Sequence, residues 1–214
     1  MLKNSIKLIA VFFVVFSLSS CGGSDAPKVT EDVAKEVTEK VKKEVLKATV
    51  NTERSKIRWK GEMLGMYAHE GTINVKSGSV FVENGTLESG SFVVDLSTIA
   101  PTDNGYNVAE GKTPEALVGH LSSADFFDVA NYPTASFEIT SVSGSNATGN
   151  LTIRGKTNVE TVTDIAVKQG DDMMKMSGKL TFDRKKYGVA FDHPVKEMVL
   201  NDEITLNIKL VAGL

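Results

Sequence analysis

One cysteine, five prolines and three histidines in 214 residues remove several chemistries at the outset. Cys21 has no partner for an intrachain disulfide. His69, His120 and His193 are scattered without the spacing of a metal motif, and no second cysteine can join them, so a zinc-type site has no support. Phosphate-cradling patterns of the GxGxxG and GxxxxGK types are absent, which leaves nucleotide binding without a sequence basis. Basic residues number 24 against 27 acidic ones, so nothing suggests nucleic acid. No apolar run reaches the about 20 residues needed to span a bilayer.

What is present begins with an export signal. Lys3 and Lys7 precede nine unbroken apolar positions at residues 8–16, followed by Ser17-Leu18-Ser19-Ser20 and then Cys21. The apolar run is too short to stay as a transmembrane anchor, so residues 1–20 are expected to be cleaved. Leu18-Ser19-Ser20-Cys21 resembles the bacterial lipobox, in which the cysteine is acylated and becomes the new N-terminus. An ordinary signal peptide with an incidental cysteine is the other reading. Several acyl chains at about 0.8 kcal/mol per buried methylene would make the anchoring permanent. Cleavage removes Lys3 and Lys7 and no acid, so the net charge goes from −3 to −5.

Residues 22–27, Gly-Gly-Ser-Asp-Ala-Pro, read as a flexible linker. Over residues 28–48, Val29, Val33, Val37, Val41 and Val45 recur every fourth position, the spacing of a helix. Glu31–Lys35, Glu36–Lys40 and Glu39–Lys43 support it at i,i+4. The valine stripe is narrow, which suits a solvated spacer of roughly 30 Å better than a coiled coil. Residues 21–50 are accordingly assigned to an anchored linker and helical tether, and residues 51–214 to the globular domain.

From Ser55 the period changes to two. Ile57 with Trp59, Ile73 with Val75, Val80 with Val82 and Phe92 with Val94 alternate with polar residues, as strands do. Turns are expected at Lys76-Ser77-Gly78-Ser79 and at Glu83-Asn84-Gly85-Thr86. Further strands are expected around Ala135, Phe137 and Ile139, around Leu151 and Ile153, over residues 159–167, from Met174 to Phe182, and from Ile204 to Leu210. Thr113 as cap and Pro114 in the first turn predict a short helix running to Leu121. Roughly eight or more strands in one domain fit either a closed sheet or a sandwich.

His120, Ser122, Asp125 and Asp128 are the residue types of a nucleophilic triad, but triads are defined by geometry. They equally suit a helix end closed by side-chain hydrogen bonds, with Phe126 and Phe127 plugging the sheet. Trp59, Phe81, Phe92, Phe126, Phe127, Phe137, Phe182 and Phe191 are spread over the strands and loops. Periodicity alone favours a filled interior over a cavity, because small barrels usually pack their cores with side chains.

Several longer motifs add to this reading. Ser55-Lys56-Ile57-Arg58-Trp59 and His69-Glu70-Gly71 come first. His120-Leu121-Ser122-Ser123-Ala124-Asp125-Phe126-Phe127-Asp128 and Tyr132-Pro133-Thr134-Ala135-Ser136-Phe137 follow. Gly149-Asn150-Leu151-Thr152-Ile153-Arg154-Gly155-Lys156-Thr157 and Phe182-Asp183-Arg184-Lys185-Lys186-Tyr187-Gly188-Val189 complete the series. In this order they resemble the YceI-like family, the lipocalin-like polyisoprenoid-binding proteins of bacteria. The resemblance implies an all-β, antiparallel lipocalin-like barrel with a short helix, and a long interior tunnel in place of the filled core. It also implies an isoprenoid or quinone-like lipid as ligand, and binding without catalysis or cofactor. Residues 101–113 depart from the family's usual run into the helix, so ligand access near that loop is expected to differ. Family members are typically free in the periplasm, and the lipobox departs from that habit by tethering this chain to a membrane of the cell envelope.

The expected lining residues are Trp59, Phe92, Val94, Phe126, Phe127, Phe137, Ile139, Leu151 and Ile153. His120, Asp125 and Arg154 are expected near a ligand head group, or alternatively to close the loops. Two competing readings remain: an envelope interaction module with a solid core, and a lipid-acting enzyme using His120 and Asp125 as acid and base.

Overall fold

The computed structural model describes residues 45–193 and 195–213. The export signal, Cys21 and the tether up to residue 44 lie outside the described residues. Nine strands form a single antiparallel sheet: β1 (Val45–Val50), β2 (Lys56–Met63), β3 (Tyr67–Glu83), β4 (Thr86–Pro101), β5 (Thr134–Ser143), β6 (Asn146–Ile153), β7 (Lys156–Gln169), β8 (Met173–Asp183) and β9 (Glu203–Gly213). Each of β3 to β8 pairs with the next strand in sequence, and β9 pairs with β2, so the sheet closes on itself. Closure removes the free edges that an open sheet would expose.

The ring has eight strand positions because β1 and β2 share one. Residues 45–49 pair with residues 79–83 of β3, whereas residues 57–63 pair with residues 67–73 of the same strand. Both segments also pair with β9. Ser55 fastens the break between them: its hydroxyl donates to the Val211 carbonyl at 3.3 Å and accepts the Val211 N–H at 3.0 Å. The helix expected over residues 28–48 is therefore corrected at its C-terminal end. Val45–Ala48 is strand, because Ala48 and Val50 also alternate at period two and bury their side chains in the barrel.

The turn expected at Glu83–Thr86 is present, with Asn84 and Gly85 both at positive φ. The turn expected at residues 76–79 is not. β3 runs straight through, and a register shift between Val75 and Ser77 takes its place. This bulge moves the inward set from Gly71, Ile73 and Val75 to Val80 and Val82. A Cβ on Gly78 would stand 2.9 Å from the Phe92 ring and 3.0 Å from the Ser91 carbonyl, so the glycine permits close approach inside a strand.

Three hairpins close one end of the barrel, and there the interior is solid. Ala48, Val80, Val82, Met174 and Ala212 are fully buried and touch no cavity. The opposite end carries the long connections. Helix α1 (Pro114–Ser122) starts where the sequence indicated, with the Thr113 hydroxyl accepting the Ala116 N–H at 3.1 Å. No helix among the described residues is long and apolar enough to cross a membrane.

Two arginines fasten the loops at this end. Arg154 donates to the carbonyls of Phe126 at 2.7 Å, Gly188 at 2.8 Å and Ala124 at 3.1 Å, joining the segment after α1 to the segment after β8. Arg184, 1% exposed, donates to the carbonyls of Val189, Phe191, Leu200 and Asn201 and pairs with Asp202 at 3.0 Å. A buried guanidinium is tolerable only because its donors are satisfied in this way.

Candidate functional site

Between the solid end and the arginine-fastened loops lies one cavity of about 570 Å³, within the range of small-molecule sites. Ten of the twelve residues expected at a ligand line it: Trp59, Phe92, Val94, His120, Phe126, Phe127, Phe137, Ile139, Leu151 and Ile153. They come from β2, β4, β5, β6 and the α1 segment, whose inward positions face one another across the barrel. Asp125 and Arg154 lie off this lining. Asp125 is exposed, and Arg154 is committed to the three backbone carbonyls that clasp the loops.

The wall is almost wholly apolar, and three of its aromatics lie against glycines. Gly71 is the cross-strand partner of Trp59, and a Cβ there would sit 2.3 Å from the indole. Gly78 faces Phe92, and Gly149 lies diagonally across from Phe137, where a Cβ would stand 2.7 Å from the ring. Each ring therefore covers a bare stretch of backbone instead of projecting across the bore. This leaves room in the bore for a guest.

All three histidines of the chain line this cavity. The imidazole of His120 packs edge-on against Phe191 and Phe126, with centroids 4.4 and 5.4 Å apart. Burial holds its pKa below the usual histidine value; the charge of Asp125 opposes this, and His193 adds to it. No hydrogen bond joins His120 to Asp125 among the described residues, so the two do not form an acid–base pair in this geometry. Ser123 closes α1, its hydroxyl donating to the His120 carbonyl at 2.8 Å.

His69 heads the best-organised polar group on the cavity wall. Its Nδ1 lies 3.2 and 3.3 Å from the two oxygens of Asp103. Tyr106 stacks on the imidazole at 5.2 Å, and Tyr67 meets it edge-on at 5.1 Å. Asp103 also accepts the N–H groups of Glu70 and Gly105 and the hydroxyl of Tyr106. Burial would raise this carboxyl, but those hydrogen bonds outweigh it and hold the pKa below the ordinary aspartate value. Tyr106 is pushed up to about 12 by burial and by the neighbouring carboxylate. Sequence reading assigned no role to Asp103 or Tyr106. The only hint was their place in the departing 101–113 stretch.

A closed antiparallel barrel with an apolar interior, a helix at one end and these motifs at its rim coincides with a known profile. The YceI-like domain matches residues 49–212. The chain belongs to the YceI-like family. UPF0312 proteins of Pseudomonas aeruginosa are 39% identical over 82 residues, covering 34% of this chain and 43% of theirs. Those of Staphylococcus aureus are 33% identical over 109 residues, covering 48% of this chain and 63% of theirs. The match thus spans less than half the length of the Pseudomonas relatives. Two solved structures share this fold. Burkholderia cenocepacia BcnA aligns with a TM-score of 0.58 at 22% identity, covering 76% of this chain and 99% of its own. A Saccharophagus degradans domain described as polyisoprenoid-binding aligns with a TM-score of 0.53 at 11% identity, covering 79% and 99%.

Proposed function

We propose that this YceI-like barrel binds a long apolar lipid of the isoprenoid or quinone class inside its cavity, as a carrier, sensor or reservoir at the bacterial envelope. The observation that carries the reading is the apolar cavity itself, held open at the loop end by the glycine–aromatic pairs. The description of the Saccharophagus domain as polyisoprenoid-binding supports the choice of lipid class. Burying roughly 500 Å² of such a chain at about 25 cal/mol per Å² yields on the order of 12 kcal/mol relative to water, less the cost of ordering the chain. Relative to a bilayer most of that gain vanishes, because the lipid already solvates the tail. A protein of this kind exchanges cargo with membranes more readily than it extracts it irreversibly.

The same proposal places the chain on a membrane through acylated Cys21. Tethering keeps the barrel within reach of its lipid source. Labelled palmitate should enter the wild type and not Cys21→Ser. The ligand is tested by purifying the protein from its native envelope, extracting with organic solvent and identifying the lipids by mass spectrometry. One isoprenoid per chain is the expected result. A folded, lipid-free protein that also refuses added isoprenoids would instead favour the interaction-module reading.

A further inference from the structure

The geometry points to His69 as a hydrogen-bond acceptor that selects a hydroxyl-ended ligand, the hydroxyl docking on Nε2 while the apolar chain fills the cavity. This inference rests on the lipid-binding reading above and assigns the polar end of the cargo.

The case begins at Asp103. An ionised carboxylate only accepts hydrogen bonds, through about four lone-pair sites. Two backbone N–H groups and the Tyr106 hydroxyl take three of them, at 3.1, 3.1 and 3.0 Å. His69 Nδ1, at 3.2 Å from one oxygen, must therefore be the fourth donor. Protonation at Nδ1 in the neutral ring leaves Nε2 as a bare acceptor, since the bond at one nitrogen sets the state of the other. Tyr106 and Tyr67 clamp the ring in this orientation.

Nε2 is also reachable. Among the described residues no hydrogen bond is made to it, and no buried side-chain polar atom lacks a partner, so this nitrogen is not sealed in the wall. His69 is an inward position of β3, two residues before Gly71, and its cross-strand neighbour Gly61 presents no side chain to cover it. Asp103, in contrast, is not on the lining. The ring thus turns one nitrogen away from the cavity and leaves the other for a guest.

His193 supplies the opposite polarity. Its Nδ1 accepts the Val195 N–H at 3.1 Å, so in the neutral ring its Nε2 carries the proton and donates. Beside His120, the cavity wall therefore holds one acceptor and one donor whose tautomers are set by different partners. A prenyl alcohol or a quinol satisfies His69; a ketone or an ether cannot.

The test uses the full chain with geranylgeraniol and its methyl ether, two probes with the same tail. The wild type should bind the alcohol about fivefold or more tightly, the value of one net hydrogen bond. His69→Phe, which keeps a ring but no nitrogen, should bind both equally, and His193→Phe should retain or widen the preference. Nitrogen-15 spectra of the histidine side chains should show His69 protonated at Nδ1 and bare at Nε2. Equal binding of the two probes by the wild type, or a proton on Nε2 of neutral His69, would overturn the inference and leave the lipid-binding reading intact. Binding of neither probe to folded protein would overturn both.

Discussion

The indole of Trp59 lies across the backbone of Gly71, its partner on the neighbouring strand, and its Nε1 donates to the Thr72 carbonyl at 3.1 Å. A methyl group on Gly71 would collide with that ring and with the Ala100 carbonyl, each at 2.3 Å. Neither can yield easily, because one is the cavity wall and the other is sheet backbone. Gly71→Ala is expected to destabilise the barrel by about 1–3 kcal/mol, the usual cost of overpacking. Urea denaturation at neutral pH checks this, and a stability equal to wild type would show that the ring has another place to go.

The barrel is solid at its hairpin end and hollow at its loop end, so equal truncations should cost unequal amounts. Met174→Ala, at a fully buried position away from the cavity, should lose about 2–5 kcal/mol. Ile208→Ala, on the cavity wall, should lose only about 1–2 kcal/mol, because its side chain already lacks packing partners on one side. Denaturation midpoints for the pair, measured on ligand-free protein, decide whether the difference exists.

Arg184 gathers carbonyls from both ends of the 188–202 segment, which carries Phe191 and His193 to the cavity. Arg184→Met keeps much of the volume but leaves those carbonyls without their donor, while Asp202 keeps Lys185 at 3.0 Å. A loss of about 2–4 kcal/mol is expected, because several carbonyls lose a charged donor at once. Hydrogen exchange should show the segment opening before the strands do. Uniform exchange across the barrel would mean that the loop is held by something else.

The pH dependence follows from His120 and Asp103. His120 has a folded pKa below the ordinary histidine value of 6.5, so the unfolded chain takes up its proton first as the pH falls. Its contribution is whole above about pH 6.5 and is lost between that value and the lower folded pKa. Asp103 is also lowered, so its contribution is whole above the ordinary aspartate value of 3.8 and disappears as the pH falls through its folded pKa. Wild-type stability should therefore drop in two stages on acidification, and His120→Gln should remove the first. Urea midpoints from pH 8 to pH 3 measure both stages.

Much of the fold could be read from the chain because its signals are local. The Asn84–Gly85 turn, the Thr113 cap and the alternation through β5 to β9 each declare themselves within a few residues. Two misreadings arose where one local signal serves two structures. Lys76-Ser77-Gly78 suits a turn and a bulge equally, and only the pairing of β3 with β4 selects a bulge at Lys76. Val45 continues a four-residue period, yet Ala48 and Val50 fit a two-residue one, and strand pairing with residues 79–83 selects the latter.

Alternation makes the inward residues legible but favours a filled core; the cavity they line is implied only by the family resemblance. The polar site was not legible. His69 and Asp103 are 34 residues apart, and their contact exists only once β4 has carried the chain back past β3. Arg154 is open in the sequence to two readings, a head-group contact or loop closure, and the structure selects the second. Its partners are backbone carbonyls, which leave no mark in a sequence.

The central claim is that the loop end of the barrel houses a lipid. Ala135 lines the cavity and Val159 is 65% exposed on the outside, so Ala135→Trp fills the bore while Val159→Trp leaves it unchanged. Solvent extraction and mass spectrometry of the wild type and both variants, purified identically from the envelope, is the most direct measurement. The account predicts a stoichiometric isoprenoid lipid with the wild type and Val159→Trp and little or none with folded Ala135→Trp. Equal lipid in all three, or none in any, would contradict it.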